Sequence, residues 1–285
     1  MSTQKSGFVT LVGRSNVGKS TLLNAMVGNK LAAVSPKPQT TRHIIHGVVN
    51  TGSGQAVLVD TPGVFKEKSG PLAGTLAHRV HEALQGIDLI VYVVDPCKAL
   101  GSEERYCLSL IRKVEVPKIL ALNKSDLPAK EKIFLDDYLA LGEEFAAVFQ
   151  LSALHHRHVQ PLVEKIFELL PEGEPLYPPD QITNIDSKFW VAEVIREKIF
   201  MALRKEVPYT TTVEVTDVED KEGITIIKAN VLTTDRKYKS MIIGAGGRAI
   251  KEIGIAARKE LETALNRKVF LELEVEVDKH WEDRV

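Results

Sequence analysis

The chain has 285 residues, 44% of them hydrophobic and 26% charged, with a net charge of −1 at pH 7. This length is typical of about two domains, and the near-neutral charge excludes a uniformly basic nucleic-acid-binding protein. Two cysteines without metal-ligand spacing, the lack of an apolar run that could span a bilayer and the lack of a typical signal peptide together predict a cytoplasmic protein.

The first predicted strand, residues 8–12, leads into a glycine-containing segment and then into a helix that begins near Thr21. The segment reads Gly13-Arg14-Ser15-Asn16-Val17-Gly18-Lys19-Ser20. Strand, G-x-x-x-x-G-K-S and helix form the context of a phosphate-binding P-loop, although a plain glycine-rich turn is the alternative. Lys19 can reach the β- and γ-phosphates, and the Ser20 hydroxyl can bind Mg²⁺. We therefore predict that residues 13–21 bind a nucleotide.

Up to about residue 170, short β-branched runs alternate with amphipathic helical patterns. This alternation predicts an α/β fold with a mostly parallel sheet covered by helices on both faces. The predicted strands are residues 8–12, 44–50, 56–60, 89–95, 118–123 and 147–151. The predicted helices between them include residues 72–84, 106–114 and 162–170. Ligands of such sheets bind at the carboxyl ends of the strands, so polar residues near these ends are candidate ligand contacts.

Two further segments, a loop between a helix and a strand and the end of a strand, carry candidate metal and phosphate ligands. A polar loop after the first helix contains Thr41, which can bind Mg²⁺ when a γ-phosphate is present. The strand at 56–60 ends in Asp60-Thr61-Pro62-Gly63, which places a carboxylate and a free backbone N–H beside the P-loop. Each segment alone is also typical of an ordinary turn. Together they predict Ser20, Thr41 and Asp60 as metal ligands and Gly63 as a γ-phosphate contact.

Two later strand ends predict which base is bound. The strand at 118–122 is followed by Asn123-Lys124-Ser125-Asp126, and the last strand is followed by Ser152-Ala153-Leu154. The Asp126 carboxylate can accept two hydrogen bonds from guanine, and adenine lacks that pair of donors. Asn123 is expected to brace the P-loop, Lys124 to lie over the base, and the Ala153 N–H to meet the guanine carbonyl. A surface turn is the alternative for each short segment.

These five segments, in this order, resemble the G domain of translation-factor-class GTPases and point to their Era-like branch. The resemblance implies GTP and GDP as ligands, Mg²⁺ as cofactor, and Lys19, Thr41, Gly63 and Asn16 as candidate catalytic residues. Val64 follows Gly63 where Ras-type enzymes have a glutamine that orients water. In related GTPases an asparagine at the position of Asn16 helps to hold K⁺ beside the phosphates. We therefore expect slow hydrolysis that K⁺ stimulates.

The second half follows a proline-rich linker at residues 171–180, so we predict domains at 1–170 and 181–285. Its predicted order is helix, strand, strand, helix, helix and strand, with glycines between the last two helices. Residues 228–268 contain ten Lys or Arg against four Asp or Glu. Both features favour RNA binding over a purely structural appendage. The candidate RNA-binding residues are Lys239, Ile243, Gly244, Ala245, Gly246, Gly247, Arg248, Lys251 and Arg258.

The element order and the Ile243-Gly244-Ala245-Gly246-Gly247 loop resemble an α+β type II KH domain, and the whole architecture resembles the Era family. Ser15 stands where that family usually has proline. The resemblance implies a monomeric GTPase that binds the 3′ end of small-subunit (16S) rRNA and assists maturation of the 30S subunit, and it leaves open a peripheral association with the inner membrane. A GTP-dependent RNA-binding module with negligible hydrolysis is the alternative. An RNA-binding ATPase is disfavoured by Asn123 and Asp126.

Overall fold

The computed structural model describes residues 4–38, 40–63, 78–204 and 206–284. The chain forms two compact units. The first comprises residues 1–32 and 41–184, and the second comprises residues 33–40 and 185–285. Val64 and most of the helix expected at 72–84 lie outside the described residues, whereas residues 78–82 are helical.

The first unit contains a six-stranded sheet. Its strands are β1 (Lys5–Val12), β2 (Ile45–Thr51), β3 (Gly54–Asp60), β4 (Leu89–Val94), β5 (Lys118–Leu122) and β6 (Ala147–Gln150). Their spatial order is β2-β3-β1-β4-β5-β6, and only the β2–β3 pairing is antiparallel. The predicted mostly parallel sheet is therefore confirmed, and each predicted strand lies within about two to three residues of an observed one.

Helices pack on this sheet because its strands are apolar on both faces. All six residues of β4 are buried, as expected for a parallel strand covered on both sides. Besides the helical residues 78–82, the α-helices in the described part of this unit are α1 (Lys19–Val27), α2 (Ser102–Ile111), α3 (Leu135–Leu139) and α4 (Val159–Leu169). One buried cluster joins Tyr92 of β4, Cys107 and Leu108 of α2, and Tyr138 of α3. Packing of α2 and α3 against β4 fixes the sheet edge from which the P-loop emerges.

The predicted linker packs on the first unit. Gln55 is 1% exposed, and its Oε1 accepts hydrogen bonds from the N–H groups of Leu176 and Tyr177 at 2.7 and 2.8 Å. Asn184 accepts another from the His46 N–H at 2.9 Å. These contacts hold residues beyond 170 against β2 and β3, so the division between the units falls after residue 184.

The second unit is an α+β domain with a three-stranded sheet. Its elements are α5 (Ser187–Ala202), β7 (Thr211–Lys221), β8 (Ile224–Thr233), α6 (Arg236–Ile243), α7 (Arg248–Leu265) and β9 (Lys268–Val277). β7 pairs with β8 in antiparallel fashion, and β8 pairs with β9 in parallel. The three helices share one buried cluster with the sheet, including Ile195, Ile227, Ile242, Ala257 and Leu261. This is the predicted order of a type II KH domain. Among the described helices, none combines the length and hydropathy needed to cross a membrane.

Residues 33–40, which precede Thr41, belong to this second unit. The Val34 N–H donates to the Glu197 carboxylate at 2.8 Å. The Lys37 ammonium donates to the carbonyl oxygens of Phe200 and Leu203 at the C-terminus of α5. A cation at this position satisfies carbonyl groups that the helix itself leaves without partners. Val34 and Lys37 therefore anchor residues 33–40 to α5.

Candidate functional site

The P-loop folds back over the N-terminus of α1. Two glycines make this possible, because they allow close contacts with the neighbouring backbone and with Asn123. Gly18 has φ of 99°, and a Cβ there would lie 2.2 Å from Asn123 Nδ2. A Cβ on Gly13 would lie 2.2 Å from the Val93 carbonyl oxygen. Larger residues would therefore push the loop away from β4 and β5. Helix α1 begins after Gly18 without a side-chain cap, which leaves its first N–H groups available to phosphate.

The side chain of Lys19 lies within the P-loop. Its side chain is buried, and its Nζ donates to the carbonyl oxygens of Gly13 at 3.1 Å and Arg14 at 3.2 Å. Burial lowers the pKa of Lys19, and the nearby carboxylates of Asp60 and Glu104 oppose that shift. The lysine is thus a confined cation at the place where phosphate oxygens are expected.

Three oxygen-bearing side chains meet next to the lysine, as predicted. The Ser20 hydroxyl donates to Asp60 Oδ2 at 2.6 Å and lies 2.8 Å from Thr41 Oγ1. Burial raises the pKa of the Asp60 carboxyl, whereas Lys19 and the two hydroxyl groups lower it. Asp60 Oδ1 is buried and has no hydrogen-bond partner among the described residues. A hard cation such as Mg²⁺ binds oxygen ligands of this kind, so these residues fit a magnesium site.

Gly63 contacts the P-loop directly. A Cβ at Gly63 would lie 2.6 Å from Ser15 Cα and 2.7 Å from Ser15 N. The Thr61 hydroxyl, also buried, donates to the Leu11 carbonyl oxygen at 2.9 Å and fixes the turn that precedes Gly63. The absence of a side chain at Gly63 therefore allows this turn to close against Ser15.

Asn123 connects the P-loop to the last predicted segment. Its Nδ2 donates to the Val17 carbonyl oxygen at 2.8 Å, and its Oδ1 accepts from the Ala153 N–H at 2.9 Å. The side chain is 4% exposed, so both hydrogen bonds lie in a buried environment where they are strong. This is the bracing position that the sequence predicts for Asn123.

Asp95, at the end of β4, is a site residue that the sequence analysis missed. Lys124 Nζ lies 2.6 Å from Asp95 Oδ2, and the Cys97 N–H donates to Asp95 Oδ1 at 3.0 Å. Burial would raise the pKa of Asp95, but the bonds to Lys124 and Cys97 outweigh it and hold the pKa below its ordinary value. The Lys124 side chain is thereby held in place. The position of Asp95 at a strand end was a signal that could have identified it.

The side chain of Asp126 is partly accessible to a base. It is 16% exposed, and its pKa is lowered by a hydrogen bond from Ser152, with further contributions from His155 and Arg157. Ser152 and Ala153 are buried, whereas Leu154 is 68% exposed. An ionised carboxylate at a polar rim suits the two donors of guanine. The structure thus brings the predicted segments together at one site. Within the last segment, Leu154 is the exception, because its side chain is exposed to solvent.

The second unit presents the predicted glycine loop at its surface. Gly244, Gly246 and Gly247 have φ of 73°, 59° and 76°, and Ala245 and Gly246 are exposed. Helix α7 begins after Gly247 without a side-chain cap. The N-termini of α5 and α6 differ, because Asp186 and Asp235 cap them. Among the described α-helices of this unit, α7 is therefore the one whose first N–H groups are left available to a phosphate.

The basic residues around this loop are accessible to different degrees. Arg248, Lys251 and Arg258 lie on α7 and are exposed, whereas Lys239 on α6 is half-buried. Ile243 is the last residue of α6 and is also half-buried. The accessible cations follow the uncapped end of α7, an arrangement that suits a nucleic-acid backbone.

Two family models match the two halves of the chain. Residues 8–124 match a family described as 50S ribosome-binding GTPase, and residues 206–282 match the KH domain family. GTPase Era of Halothermothrix orenii is 39% identical over 281 residues, which cover 98% of this chain and 95% of the relative. GTPase Era of Thermoanaerobacter sp. strain X514 is 42% identical over 287 residues, which cover 98% and 93%.

Solved structures are similar over the same length. The crystal structure of a point variant of Aquifex aeolicus Era bound to GDP·AlF4⁻ is 35% identical, with a TM-score of 0.91 and coverage of 99% of this chain and 96% of that one. Era in complex with MgGDPNP and nucleotides 1506–1542 of 16S ribosomal RNA is also 35% identical, with the same coverage and a TM-score of 0.90. The P-loop, the guanine-specific segment and the KH domain agree with these similarities: the chain belongs to the Era family of GTPases, and it hydrolyses GTP.

Proposed function

We propose that this GTPase is a switch that binds the 3′ end of 16S rRNA through its KH domain and assists maturation of the 30S subunit. The observation that carries the proposal is the exposed glycine loop, which joins the uncapped N-terminus of α7 to a surface of accessible cations. A loop of this kind can clamp single-stranded RNA through its backbone. The similarity to the solved complex of Era with nucleotides 1506–1542 of 16S rRNA supports this choice of RNA.

We further propose that the nucleotide is held as GTP or GDP with Mg²⁺. Ser20, Thr41 and Asp60 would hold the ion, which neutralises charge on the phosphates when bound. Lys19 would contribute a buried cation to the same phosphates, and the Gly63 N–H would contact the γ-phosphate, since Gly63 lies against Ser15 of the P-loop. The solved Era structures, which hold MgGDPNP and GDP·AlF4⁻, support these ligands.

For hydrolysis, we propose that Asn16 holds K⁺ beside the phosphates. Asn16 is exposed at the tip of the P-loop and has a left-handed backbone with φ of 65°. A second cation there would stabilise the charge that develops during phosphoryl transfer, as an arginine finger does in other GTPases. Val64 in place of a glutamine supports a need for such help. It equally favours the alternative in which intrinsic turnover is negligible and GTP mainly controls RNA binding.

The RNA-binding proposal is tested by charge reversal beside the glycine loop. Arg248→Glu and Lys251→Glu should each weaken binding of an RNA corresponding to the 16S 3′ end by at least about tenfold and reduce the salt dependence of binding. Lys221→Glu is the matched control, because Lys221 is exposed at the end of β7 in the same domain. Equal losses from all three variants would mean that the loop is not the RNA contact.

The hydrolysis alternative is tested with the same RNA. GTP turnover is measured in K⁺ and in Na⁺, each with and without the RNA. Stimulation by both K⁺ and RNA supports a GTPase that times its own release from the RNA. GTP-dependent RNA binding without stimulated turnover would support the binding module instead.

A further inference from the structure

A buried carboxylate lies behind the P-loop, outside the set of candidate phosphate and metal ligands. Glu104, in the first turn of α2, is 0% exposed. Cys107 and Leu108, three and four residues further along the same helix, belong to a buried apolar cluster together with Val12. An unpaired carboxylate in such an environment is strongly unfavourable, so its partners show what holds it there.

Glu104 has two partners, one in the core and one in the P-loop. The Tyr92 hydroxyl of β4 donates to Glu104 Oε2. Arg14 Nε lies 2.9 Å from Glu104 Oε1, and the side chain of Arg14 is only 15% exposed. Burial raises the pKa of Glu104, whereas Tyr92 and Arg14 lower it. The ion pair therefore connects α2, and through Tyr92 also β4, to the first turn of the P-loop.

The backbone of Arg14 contacts the lysine of the phosphate site. Its carbonyl oxygen accepts a hydrogen bond from Lys19 Nζ at 3.2 Å. Any rotation of the Arg14 backbone would therefore move an oxygen that contacts Lys19. Glu104 also acts on the lysine through its charge, since it opposes the loss of the Lys19 proton that burial favours.

We propose that Glu104 is a positioning residue for nucleotide binding, which anchors Arg14 and so holds the P-loop and Lys19 in the conformation that receives phosphates. The effect concerns the β-phosphate, which Lys19 can reach and which GTP and GDP share, so the affinity for both nucleotides depends on it. The inference rests on nucleotide binding by the P-loop and is independent of the proposed role of the RNA.

The test is a double-mutant cycle on nucleotide affinity, measured by fluorescence titration without RNA. Glu104→Gln keeps the shape of the side chain and a hydrogen-bond acceptor for Tyr92 but removes the charge. Glu104→Gln and Arg14→Gln should each weaken GDP and non-hydrolysable GTP binding by about tenfold, and the double variant should be little weaker than either. In turnover assays, the KM for GTP should rise more than kcat falls.

Thr10→Val is the matched control for stability. Thr10 is fully buried in β1, and its hydroxyl donates to the Ala83 carbonyl oxygen at 2.7 Å. This variant should shift the urea midpoint of unfolding and leave both affinities within about twofold, since it removes one hydrogen bond away from the P-loop. The proposal would be wrong if Glu104→Gln shifted the urea midpoint but left nucleotide affinity unchanged. It would also be wrong if the double variant lost affinity by the product of the two single losses, as independent residues would.

A milder variant covers the case in which Glu104→Gln does not fold. Tyr92→Phe removes only the hydroxyl group that orients Glu104 and leaves the ion pair to Arg14 in place. We expect it to weaken GDP binding by about threefold, in keeping with the loss of one orienting hydrogen bond. Unchanged GDP affinity in a folded Tyr92→Phe variant would count against the anchoring role.

Discussion

Lys124 Nζ lies 2.6 Å from Asp95 Oδ2, so the side chain expected to cover the base is held by a carboxylate from the neighbouring strand end. Lys124 has a left-handed backbone with φ of 62°, and its side chain is 34% exposed, whereas that of Asp95 is 4% exposed. The ion pair restricts the long side chain of Lys124 to one conformation before the base binds. Preorganisation of this kind increases affinity by reducing the entropy lost on binding.

The first prediction concerns Asp95→Asn. The variant keeps the shape of the side chain but loses the charge, so Lys124 is less well held and GDP affinity should fall by about fivefold, equivalent to about 1 kcal/mol. Isothermal titration with GDP measures this change. Lys165→Gln is the control, since Lys165 forms an exposed ion pair with Glu168 on α4. A fivefold loss in the control as well would show that the effect is not specific to Asp95.

The same variant predicts a pH effect on stability. Because the pKa of Asp95 is lowered in the folded state, the folded chain binds a proton there less readily than the unfolded chain. The stabilisation is therefore fully present above the ordinary carboxyl pKa of about 4 and is lost as the pH falls through the lower, folded value. Urea unfolding of the unmodified chain and of Asp95→Asn should give free energies of unfolding that differ at neutral pH. This difference should become smaller below about pH 4. A difference that stayed constant to about pH 3 would contradict this assignment.

A second prediction tests the base specificity of Asp126. Asp126→Asn replaces an acceptor-only carboxylate with an amide that also donates, so it no longer matches the two donors of guanine. GTP affinity should fall by about 100-fold, whereas XTP, which has a carbonyl in place of the amino group, should bind better than it does to the unmodified chain. Competition titrations with both nucleotides measure the ratio. An unchanged preference for GTP would mean that Asp126 does not contact the base.

A third prediction uses the close contact between Gly63 and the P-loop. Gly63→Ala places a methyl group within 2.7 Å of Ser15 atoms, so the turn must move away from the γ-phosphate position. GTP hydrolysis should fall at least about tenfold, while GDP affinity changes by less than about threefold, because GDP lacks the γ-phosphate. Gly52→Ala is the control, since a Cβ there meets no atom within 4 Å. Normal turnover by Gly63→Ala would exclude a role for this turn.

The fourth prediction concerns the proposed K⁺ site. Asn16→Gly removes the side chain but tolerates the left-handed backbone at φ of 65°, so the loop conformation is retained. The unmodified chain should hydrolyse GTP faster in K⁺ than in Na⁺, and the variant should show equal rates in the two salts with GDP affinity preserved. If the variant kept the full K⁺ stimulation, another group would have to hold the ion.

The sequence was sufficient for the elements and motifs because both have local signals. β-branched runs marked the strands, and the five site segments come in a fixed order, four of them directly after strands. Asp95 had a local signal in its position at a strand end, whereas Glu104 was missed for a physical reason. Glu104 follows Glu103 at the start of an amphipathic helix, where acidic residues are typical of a solvated first turn, and only the packing of α2 against β4 makes it buried. The anchoring of residues 33–40 by Lys37 likewise depends on contacts with a helix that is distant in the sequence.

The two hydrogen bonds of Asn123 have a consequence for the order in which the site forms. They join Val17, near the beginning of the chain, to Ala153, which lies beyond the last strand of the sheet. A chain emerging from a ribosome therefore cannot complete its guanine site until residue 153 has been synthesised and β6 has paired with β5. The guanine site can therefore be complete before the remainder of the first unit, which extends to residue 184, and the KH domain have been synthesised.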